Sequence, residues 1–218
     1  MQLEQFIFNS FQTRCCVIWD ENKKCTITDP GCSSKKEMEQ LTGFITDKGL
    51  EPVCILLTHG HFDHILGVAE LAAKYSIPVY MHPEDKFTLE NNAYFSRMFG
   101  VPMPDAFDTQ DIEDGDAVKV GNLSFEVIFT PGHSRGGICF YERTGKVLIC
   151  GDTLFAGAIG RTDHPGGDYD ILMRSIFEKL LMLDGETRIL PGHGPSSDIS
   201  TERMTNPFLL PFNEPYEG

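Results

Sequence analysis

Residues 58–64 read Thr-His-Gly-His-Phe-Asp-His and gather three imidazoles and a carboxylate in one short stretch. Packing alone rarely explains so many ligating side chains together. His59 and His61 are two positions apart, so in an extended loop they can project to the same side and share one metal ion. Asp63 and His64 lie further along, where a helix is expected to begin, and can face a second ion. Imidazole nitrogen and carboxylate oxygen suit Zn(II), Fe(II) or Mn(II) better than calcium or magnesium.

The residues upstream predict where this stretch lies in the fold. Val53–Leu57 is a short, entirely apolar run, which is typical of a strand buried on both faces. Functional sites in α/β folds form at the carboxyl ends of such strands. The stretch 58–64 is therefore expected at a sheet edge, with a helix following from about Ile65 to Tyr75.

Three further candidate ligands repeat this context of a strand end followed by a glycine-containing loop. His133 follows a Phe-Glu-Val-Ile-Phe strand, Asp152 follows a Val-Leu-Ile-Cys strand, and His193 follows a strand at 188–190. Each residue alone would more often be a capping or turn residue. Together with the stretch 58–64, they bring four strand ends into one predicted site.

The seven candidate ligands divide into two sets of three and a remainder. The first ion would take His59, His61 and His133, and the second would take Asp63, His64 and His193. Asp152 remains as a carboxylate that can bridge both ions. Three protein ligands for each ion, a bridging carboxylate and a bridging water describe a dinuclear hydrolytic site with room for a substrate.

The rest of the chain reads as two strand-rich halves. The first half predicts strands at 3–9, 14–19, 24–29 and 78–81, a capping-box helix from Ser34 to about Lys48, and a helix opened by Pro83. The second half predicts strands at 117–120, 123–129, 137–142, 146–150 and 188–190, a long loop at 151–168, and a helix near Tyr169–Leu183. Two packed sheets with helices outside are expected. The simplest organisation is a single domain over 1–218 with a short Pro-rich tail from about 207.

Composition narrows the partners and the compartment. The formal net charge of −14 disfavours nucleic acid and anionic membrane surfaces. The 7 cysteines are odd in number, lack a Cys-x-x-Cys pair and lie mostly in apolar runs, which indicates buried free thiols in a reducing cytosol. No apolar run is long enough to span a membrane, and the N-terminus lacks a signal-peptide pattern. A cytoplasmic protein with a small-molecule substrate is expected.

The order of these candidate ligands resembles a known family. His-x-His-x-Asp-His at 59–64, followed by His133, Asp152 and His193, is similar to the metallo-β-lactamase superfamily, and Asp29 in Thr-Asp-Pro-Gly matches that superfamily's first motif. The resemblance runs from the first strands to about Phe208. It implies an α/β fold, a four-layer αββα sandwich with the metal ions at one edge between the sheets. It also implies that Asp29 holds the metal-bearing loop.

The second half is similar to one branch of that superfamily. Gly151-Asp-Thr-Leu-Phe, Gly160-Arg-Thr-Asp, Leu190-Pro-Gly-His-Gly-Pro and Thr205-Asn-Pro-Phe resemble glyoxalase II enzymes, in particular short single-domain bacterial members. This implies a thioesterase that cleaves an acyl-thioester, such as S-2-hydroxyacylglutathione. Two divalent ions are implied, with zinc first and iron or manganese as alternatives. Arg161 matches the position that offers a cation to the glutathione carboxylate. Longer family members add a helical domain for glutathione, whereas only 25 residues follow His193 in this sequence.

The implied reaction is attack by a metal-bridging hydroxide, with Asp63 both ligating and accepting a hydrogen bond from the bridging water. Persulfide dioxygenases, which use one iron ion, also resemble the chain, and lactone hydrolysis would use the same site. Class B β-lactamases commonly carry another residue in place of Asp152, so antibiotic hydrolysis is not expected. Of the remaining histidines, His82 is expected to cap or pack, and His164 could line the substrate mouth.

Overall fold

The N-terminal half of the chain forms a mixed six-stranded sheet. The computed structural model describes residues 1–101 and 103–210. The strands of this sheet, in spatial order, are β1 (Gln2–Phe8), β2 (Thr13–Trp19), β3 (Lys24–Thr28), β4 (Glu51–Leu56), β5 (Val79–Met81) and β6 (Gln110–Asp111). The first three strands are antiparallel, and β3 to β6 are parallel. The helices between the parallel strands are α1 (Lys35–Asp47), α2 (Phe62–Ile65), α3 (Val68–Tyr75) and α4 (Lys86–Phe99).

The C-terminal half forms a second six-stranded sheet. Its strands are β7 (Ala117–Val120), β8 (Leu123–Phe129), β9 (Ile138–Glu142), β10 (Val147–Gly151), β13 (Arg188–Pro191) and β14 (Ser197–Asp198). Only β10 and β13 pair in parallel within this sheet. A small hairpin follows β10, and two helices complete this half: β11 (Leu154–Phe155), β12 (Ala158–Ile159), α5 (Tyr169–Glu178) and α6 (Ile199–Thr205).

Alternating side chains on the strands show how the layers stack. On β2, Val17 packs with the core under α1 and α3, whereas Ile18 packs between the two sheets. On β10, Ile149 faces that same inter-sheet core, whereas Leu148 packs with α5 and α6 on the outer face. Both faces of each sheet are therefore buried, which explains the continuous apolar runs of β2 and β10. The predicted four-layer αββα sandwich is confirmed.

Helix α1 illustrates how the local sequence sets an element. The Ser34 side chain accepts a hydrogen bond from the Glu37 backbone N–H at 3.3 Å, as a capping residue does. Met38, Leu41 and Ile45 are buried, and their spacing puts them on one face against the first sheet. The predicted helix and its Ser34 cap are confirmed, but the Glu37 side chain accepts from the Ser33 N–H at 2.7 Å instead of the Ser34 N–H that a capping box would use.

Two predicted helices are shorter than expected. The helix expected from Ile65 to Tyr75 is two helices, α2 and α3, and the chain turns between them at Gly67. The Gly67 N–H donates to the Pro30 carbonyl at 2.8 Å, and a Cβ at Gly67 would lie 2.9 Å from that oxygen. The helix expected to reach Leu183 ends at Glu178, and a short 3₁₀ turn follows at Leu180–Met182.

Several short elements were not predicted. They are β6, the β11–β12 hairpin, β14 and α6, each of only a few residues. Helix α6 begins where Asp198 accepts a hydrogen bond from the Thr201 N–H at 2.8 Å, between the last predicted strand and the predicted tail. Elements this short do not span enough residues to show a hydrophobic period.

Further predictions concern the cysteines, membrane-spanning helices, the domain organisation and the C-terminal tail. All seven cysteines are buried and free, as predicted. Within residues 1–101 and 103–210, no helix is long and apolar enough to cross a membrane. The single domain over 1–218 stays a prediction. The Pro-rich tail predicted from about 207 falls largely on 211–218, outside the described residues.

Candidate metal centre

The stretch 58–64 lies at the carboxyl end of β4, where the two sheets meet. The Thr58 carbonyl accepts a hydrogen bond from the Ile138 N–H of the second sheet at 2.9 Å. Asp29, at the end of β3, accepts hydrogen bonds from the Thr58 N–H at 2.8 Å and from the Thr58 hydroxyl at 2.6 Å. One of its oxygens also lies 3.2 Å from His64 Nδ1. Asp29 therefore ties the stretch to the neighbouring strand, which is the role that the resemblance implied.

The first predicted set of ligands converges. The ligating atoms of His59, His61 and His133 lie within 4.8 Å of one another, and all three residues are buried. His133 Nε2 lies 3.0 Å from His61 Nδ1. His59 Nε2 is buried and has no hydrogen-bond partner. His59 Nε2 therefore presents a buried lone pair that no hydrogen-bond donor satisfies.

The second predicted set also converges. Asp63, His64 and His193 bring their ligating atoms within 4.8 Å of one another. His193 Nε2 lies 3.4 Å from Asp63 Oδ2 and 3.3 Å from His64 Nε2. The two sets come from different halves of the fold, because β13 supplies His193 while α2 supplies Asp63 and His64.

Asp152 lies between the two sets. Its Oδ1 is 3.5 Å from His64 Nε2, and its Oδ2 is 3.5 Å from His193 Nε2. The same Oδ2 is 3.6 Å from His133 Nε2 in the first set. One carboxylate is therefore within reach of both sets.

Hydrogen bonds fix which nitrogen of each ring faces the cluster. The Thr58 hydroxyl gives its hydrogen to Asp29, so its oxygen, 3.1 Å from His59 Nδ1, is the acceptor for that ring. His133 Nδ1 donates to the Arg161 carbonyl at 2.8 Å, and His193 Nδ1 donates to the Phe11 carbonyl at 3.0 Å. In these three rings Nε2 is then the nitrogen that faces the cluster, which is the arrangement that metal-binding histidines use.

The electrostatics of the cluster favour divalent cations. Burial lowers the pKa of His59, His61 and His133, so these rings are neutral and their lone pairs are available. Burial also opposes charge on His64 and His193, but Asp63 and Asp152 outweigh it and raise their pKa values to about 9 and about 11. Protons on these two rings balance the two carboxylates. Divalent ions can displace those protons, as metal binding generally does, and the nitrogen and oxygen donors suit such ions.

A pocket of about 290 Å³ lies over the cluster. Its floor is formed by His61, Asp63, His133, Asp152 and His193. Its sides carry phenylalanine and methionine side chains that were not predicted as site residues, and three of them, Phe95, Met98 and Phe99, belong to α4. The three on α4 are spaced at 95, 98 and 99, a helical spacing that reads equally well as core.

Arg161 and His164, which the sequence predicts to contact the substrate or line its entrance, both line this pocket. We call their position the rim. The Arg161 guanidinium pairs with Asp163, with Nε 3.0 Å from Oδ1, and its side chain is 71% exposed. The His164 ring lies edge-on to His61 and His133, with centroids 4.9 and 5.0 Å away. His82 does not reach the pocket. It accepts from the Glu84 N–H at 3.3 Å and stacks on Phe129, which confirms its predicted capping and packing role.

Comparison with known proteins gives this arrangement its family. Residues 9–193 match the metallo-beta-lactamase superfamily. The chain belongs to that superfamily. It is a member of a family of metallo-hydrolases, and its histidine and aspartate cluster is the metal-binding region of that fold.

Three superfamily relatives bear on the chemistry. Hydroxyacylglutathione hydrolase GloC from Haemophilus influenzae is 39% identical, over 96% of this chain and 98% of the relative. The crystal structure of BLEG-1 B3 metallo-beta-lactamase is 37% identical with a TM-score of 0.88, covering 95% of this chain and 99% of that one. The crystal structure of TTHA1623 in a di-iron-bound form is 36% identical with a TM-score of 0.84, covering 94% and 100%.

Three buried side chains that support the superfamily site were missed from sequence. Thr13 donates its hydroxyl hydrogen to Asp63 Oδ2 at 2.7 Å. The Arg14 guanidinium donates to the Gly194 carbonyl and to Ser196 Oγ, so it holds the loop that carries His193. These residues are adjacent at the start of β2, and the fold alone brings Thr13 to Asp63 and Arg14 to the loop after His193. Their sequence neighbourhood gives no indication of that role.

Asp85 is the third missed residue, and it joins two ligand-bearing loops. It is fully buried just before α4 and accepts hydrogen bonds from the N–H groups of Gly60 and Gly136 and from the Thr88 hydroxyl. Gly60 separates His59 from His61, and Gly136 lies three residues after His133. A Cβ at Gly136 would lie 2.4 Å from the Asp85 backbone nitrogen, so only glycine fits there. Asp85 thereby sets the spacing of the loops that bear the first set of ligands.

Proposed function

We propose that this metallo-hydrolase is a thioesterase of the glyoxalase II type that cleaves an acyl-thioester at a centre of two divalent ions. In this proposal the first ion is held by His59, His61 and His133, the second by Asp63, His64 and His193, and both by Asp152. The observation that carries it is the position of Asp152, whose oxygens lie 3.5–3.6 Å from nitrogens of both sets. The similarity to a hydroxyacylglutathione hydrolase over nearly the whole chain supports the thioester substrate.

The side chains of the floor would hold and align the reactants. Bound divalent ions would supply a water activated at neutral pH and polarise the acyl carbonyl. Burial raises the pKa of Asp63, but His64 and the other partners outweigh it and lower that pKa to about 2. Asp63 is therefore a carboxylate throughout the working pH range. Thr13 occupies one side of its Oδ2, so Asp63 can still accept a hydrogen bond from the attacking water. The thiolate leaves without a separate general acid, because a thiol is a stronger acid than an alcohol.

The identity of the ions belongs to the same proposal. We infer zinc as the first choice, with iron or manganese as alternatives, since imidazole and carboxylate donors suit all three. The similarity to a protein crystallised in a di-iron-bound form supports a site that accepts two ions and can take iron.

A second candidate substrate class is the β-lactams. The chain is 37% identical to a protein titled a B3 metallo-beta-lactamase, over nearly the full length of both. The prediction that this protein does not hydrolyse β-lactam antibiotics depends only on the residue at position 152, which is Asp152. It stays a prediction, and an assay with a cephalosporin tests it directly.

The test combines metal analysis with a substrate panel. Protein purified without chelator and supplemented with zinc or iron should bind two ions per chain. It should hydrolyse S-lactoylglutathione or a simple acyl-thioester faster than a lactone or a cephalosporin. A ceiling of one iron ion, with oxygen uptake on glutathione persulfide and no thioester cleavage, would replace the proposal with a persulfide dioxygenase. Faster turnover of the lactone or the cephalosporin would reassign the substrate class while keeping a hydrolase.

A further inference from the structure

Four phenylalanines form a continuous aromatic wall along one side of the pocket. The wall consists of Phe11, Phe62, Phe95 and Phe99, all of which line the pocket. The Phe11 ring lies edge-on to Phe62 and to Phe99, with centroids 5.0 and 5.3 Å away. Phe62 and Phe95 are 6.4 Å apart, and Phe95 lies 5.2 Å from the candidate ligand His61. The wall therefore rises directly from the floor.

The outer part of the wall is exposed although it is apolar. Phe62 and Phe95 are 4% and 7% exposed, whereas Phe99 and its neighbour Met98 are 45% and 56% exposed. Exposed apolar surface beside a concave polar floor is the arrangement that a ligand with an apolar part covers. Because the floor is the proposed catalytic centre, the occupant that fits is the substrate itself.

The charge around the pocket argues against an anionic occupant. Arg161 is the one Lys or Arg side chain among the described residues that line the pocket. It is already paired with Asp163, and 71% of its side chain is exposed. In the proposed centre the carboxylates of Asp63 and Asp152 would partly offset the charge of the ions, which would be engaged at the reacting carbonyl, and the whole chain carries a net charge of −14. A substrate with several carboxylates would find little compensation here.

We propose that the aromatic wall receives an apolar substituent of the thioester, an alkyl chain or an aryl group, and that the enzyme prefers neutral apolar thioesters to glutathione conjugates. This inference rests on the proposed thioesterase function and specifies its substrate class. The apolar substituent can belong to the acyl group or to the thiol. Both present the same chemistry to the wall, and the experiment separates them.

The experiment measures kcat/KM on two neutral thioester series with the metal-supplemented enzyme. One series lengthens the acyl group from acetyl to octanoyl on a fixed small thiol, and the other lengthens the thiol on a fixed acetyl group. Burial of a methylene contributes about 0.8 kcal/mol, so kcat/KM should rise about 4-fold for each methylene in one series until the wall is covered. The longest member should exceed S-lactoylglutathione. The series that shows the rise identifies which end of the substrate faces the wall.

Variants with matched controls test the wall itself. Phe99→Ala should reduce the ratio of kcat/KM between the longest and the shortest substrate by about 10-fold. A loss at the low end of the range for a pocket contact is expected because Phe99 is half exposed. Phe208→Ala removes a phenylalanine that is 44% exposed and does not line the pocket, so the gain should be unchanged. Met98→Ala, with Met204→Ala as its control, gives the same comparison without removing a ring from the wall.

Binding without turnover separates this inference from the proposed function. Calorimetry with uncleavable S-alkyl thioethers should show affinity that rises from the methyl to the hexyl compound and falls in Phe99→Ala. Thioester cleavage with flat or falling chain-length dependence would overturn the inference and leave the thioesterase in place. Chain-length-dependent thioether binding without cleavage of any thioester would overturn the thioesterase and leave the apolar subsite.

Discussion

The floor of the pocket lies on loops at strand ends, whereas its wall lies largely on helix α4 and on the phenylalanines that contact it. In the floor, Asp29, Thr58 and backbone carbonyls hold the second nitrogen of most candidate ligand rings. In the wall, Phe99 has ring contacts and stays 45% exposed. A floor this constrained suits chemistry that depends on distances of a few tenths of an ångström. A wall this lightly held can adapt to substrates of different length.

The largest effect is expected at the centre of the floor. Asp152→Ala should lower kcat/KM by about 10²–10³-fold or more, as loss of a group that organises transition-state charge does. It should also weaken retention of both ions, because Asp152 lies within 3.6 Å of both sets. Metal content and steady-state rates check both effects. Asp170→Ala, at an exposed carboxylate at the start of α5, is the control. A variant that keeps two ions and most of its activity would remove Asp152 from the bridging role.

The next effect is expected where the floor is supported. Asp85→Asn would turn an NH₂ group toward the backbone N–H of Gly60 or Gly136, and so loosen the loops that bear His59, His61 and His133. Loss of a supporting contact of this kind lowers metal affinity by about 10–100-fold. Competition with a chromogenic chelator measures the affinity, and the exposed neighbour Glu84→Gln should leave it unchanged. Equal affinity in the two variants would show that Asp85 does not position the metal ligands.

A smaller effect is expected at the rim. Arg161→Ala should raise KM for S-lactoylglutathione by about 10-fold or less, because a charge-assisted contact is weakened by exposure and by the existing pair with Asp163. Neutral thioesters should change little, and kcat should be nearly constant for both. Steady-state kinetics on the two substrates, with Arg174→Ala as an exposed control on α5, separate these outcomes. Equal losses on charged and neutral substrates would assign Arg161 to loop structure.

The smallest effect concerns the stability of the metal-free floor. The pKa values of His64 and His193 rise on folding from 6.5 to about 9 and about 11. Their contribution to stability is complete below pH 6.5 and is lost as pH rises through those values. Asp63, with its pKa lowered from 3.8 to about 2, contributes above pH 3.8 and loses its contribution as pH falls toward 2.

The Tm of the metal-free protein should therefore be highest near pH 6.5. It should fall toward pH 9 as His64 and His193 lose their protons, and fall toward pH 4 because the buried neutral rings of His59, His61 and His133 take up protons more readily in the unfolded chain. Calorimetric scans across that range check the profile. The metal-loaded protein should show a flatter profile, because the ions displace the protons. Parallel profiles for the two forms would indicate that these protons are not what the metals replace.

The same contrast explains what the sequence could predict. The seven candidate ligands follow four strand ends, and their order matches a family motif, so the sequence predicts that His59, Asp152 and His193 belong to one site. Asp85 and Arg14 lack such a pattern, since their partners are backbone groups of distant loops. Phe99 and Phe95 look like the core face of a helix, because periodicity does not distinguish a core from a substrate. The short elements β11, β12, β14 and α6 carry too few residues to show any period.

The contact between His193 Nδ1 and the Phe11 carbonyl joins positions 182 residues apart in the chain. Arg14 makes a similarly distant bond with Ser196. Contacts that close such long loops form late, since the chain entropy of the loop is lost before the contact can form. During synthesis, residue 193 is still untranslated when all strands of the first sheet have been made. The second set of ligands is then complete only when nearly all of the described chain has left the ribosome. A metal ion bound by this second set would therefore indicate that the chain has finished folding.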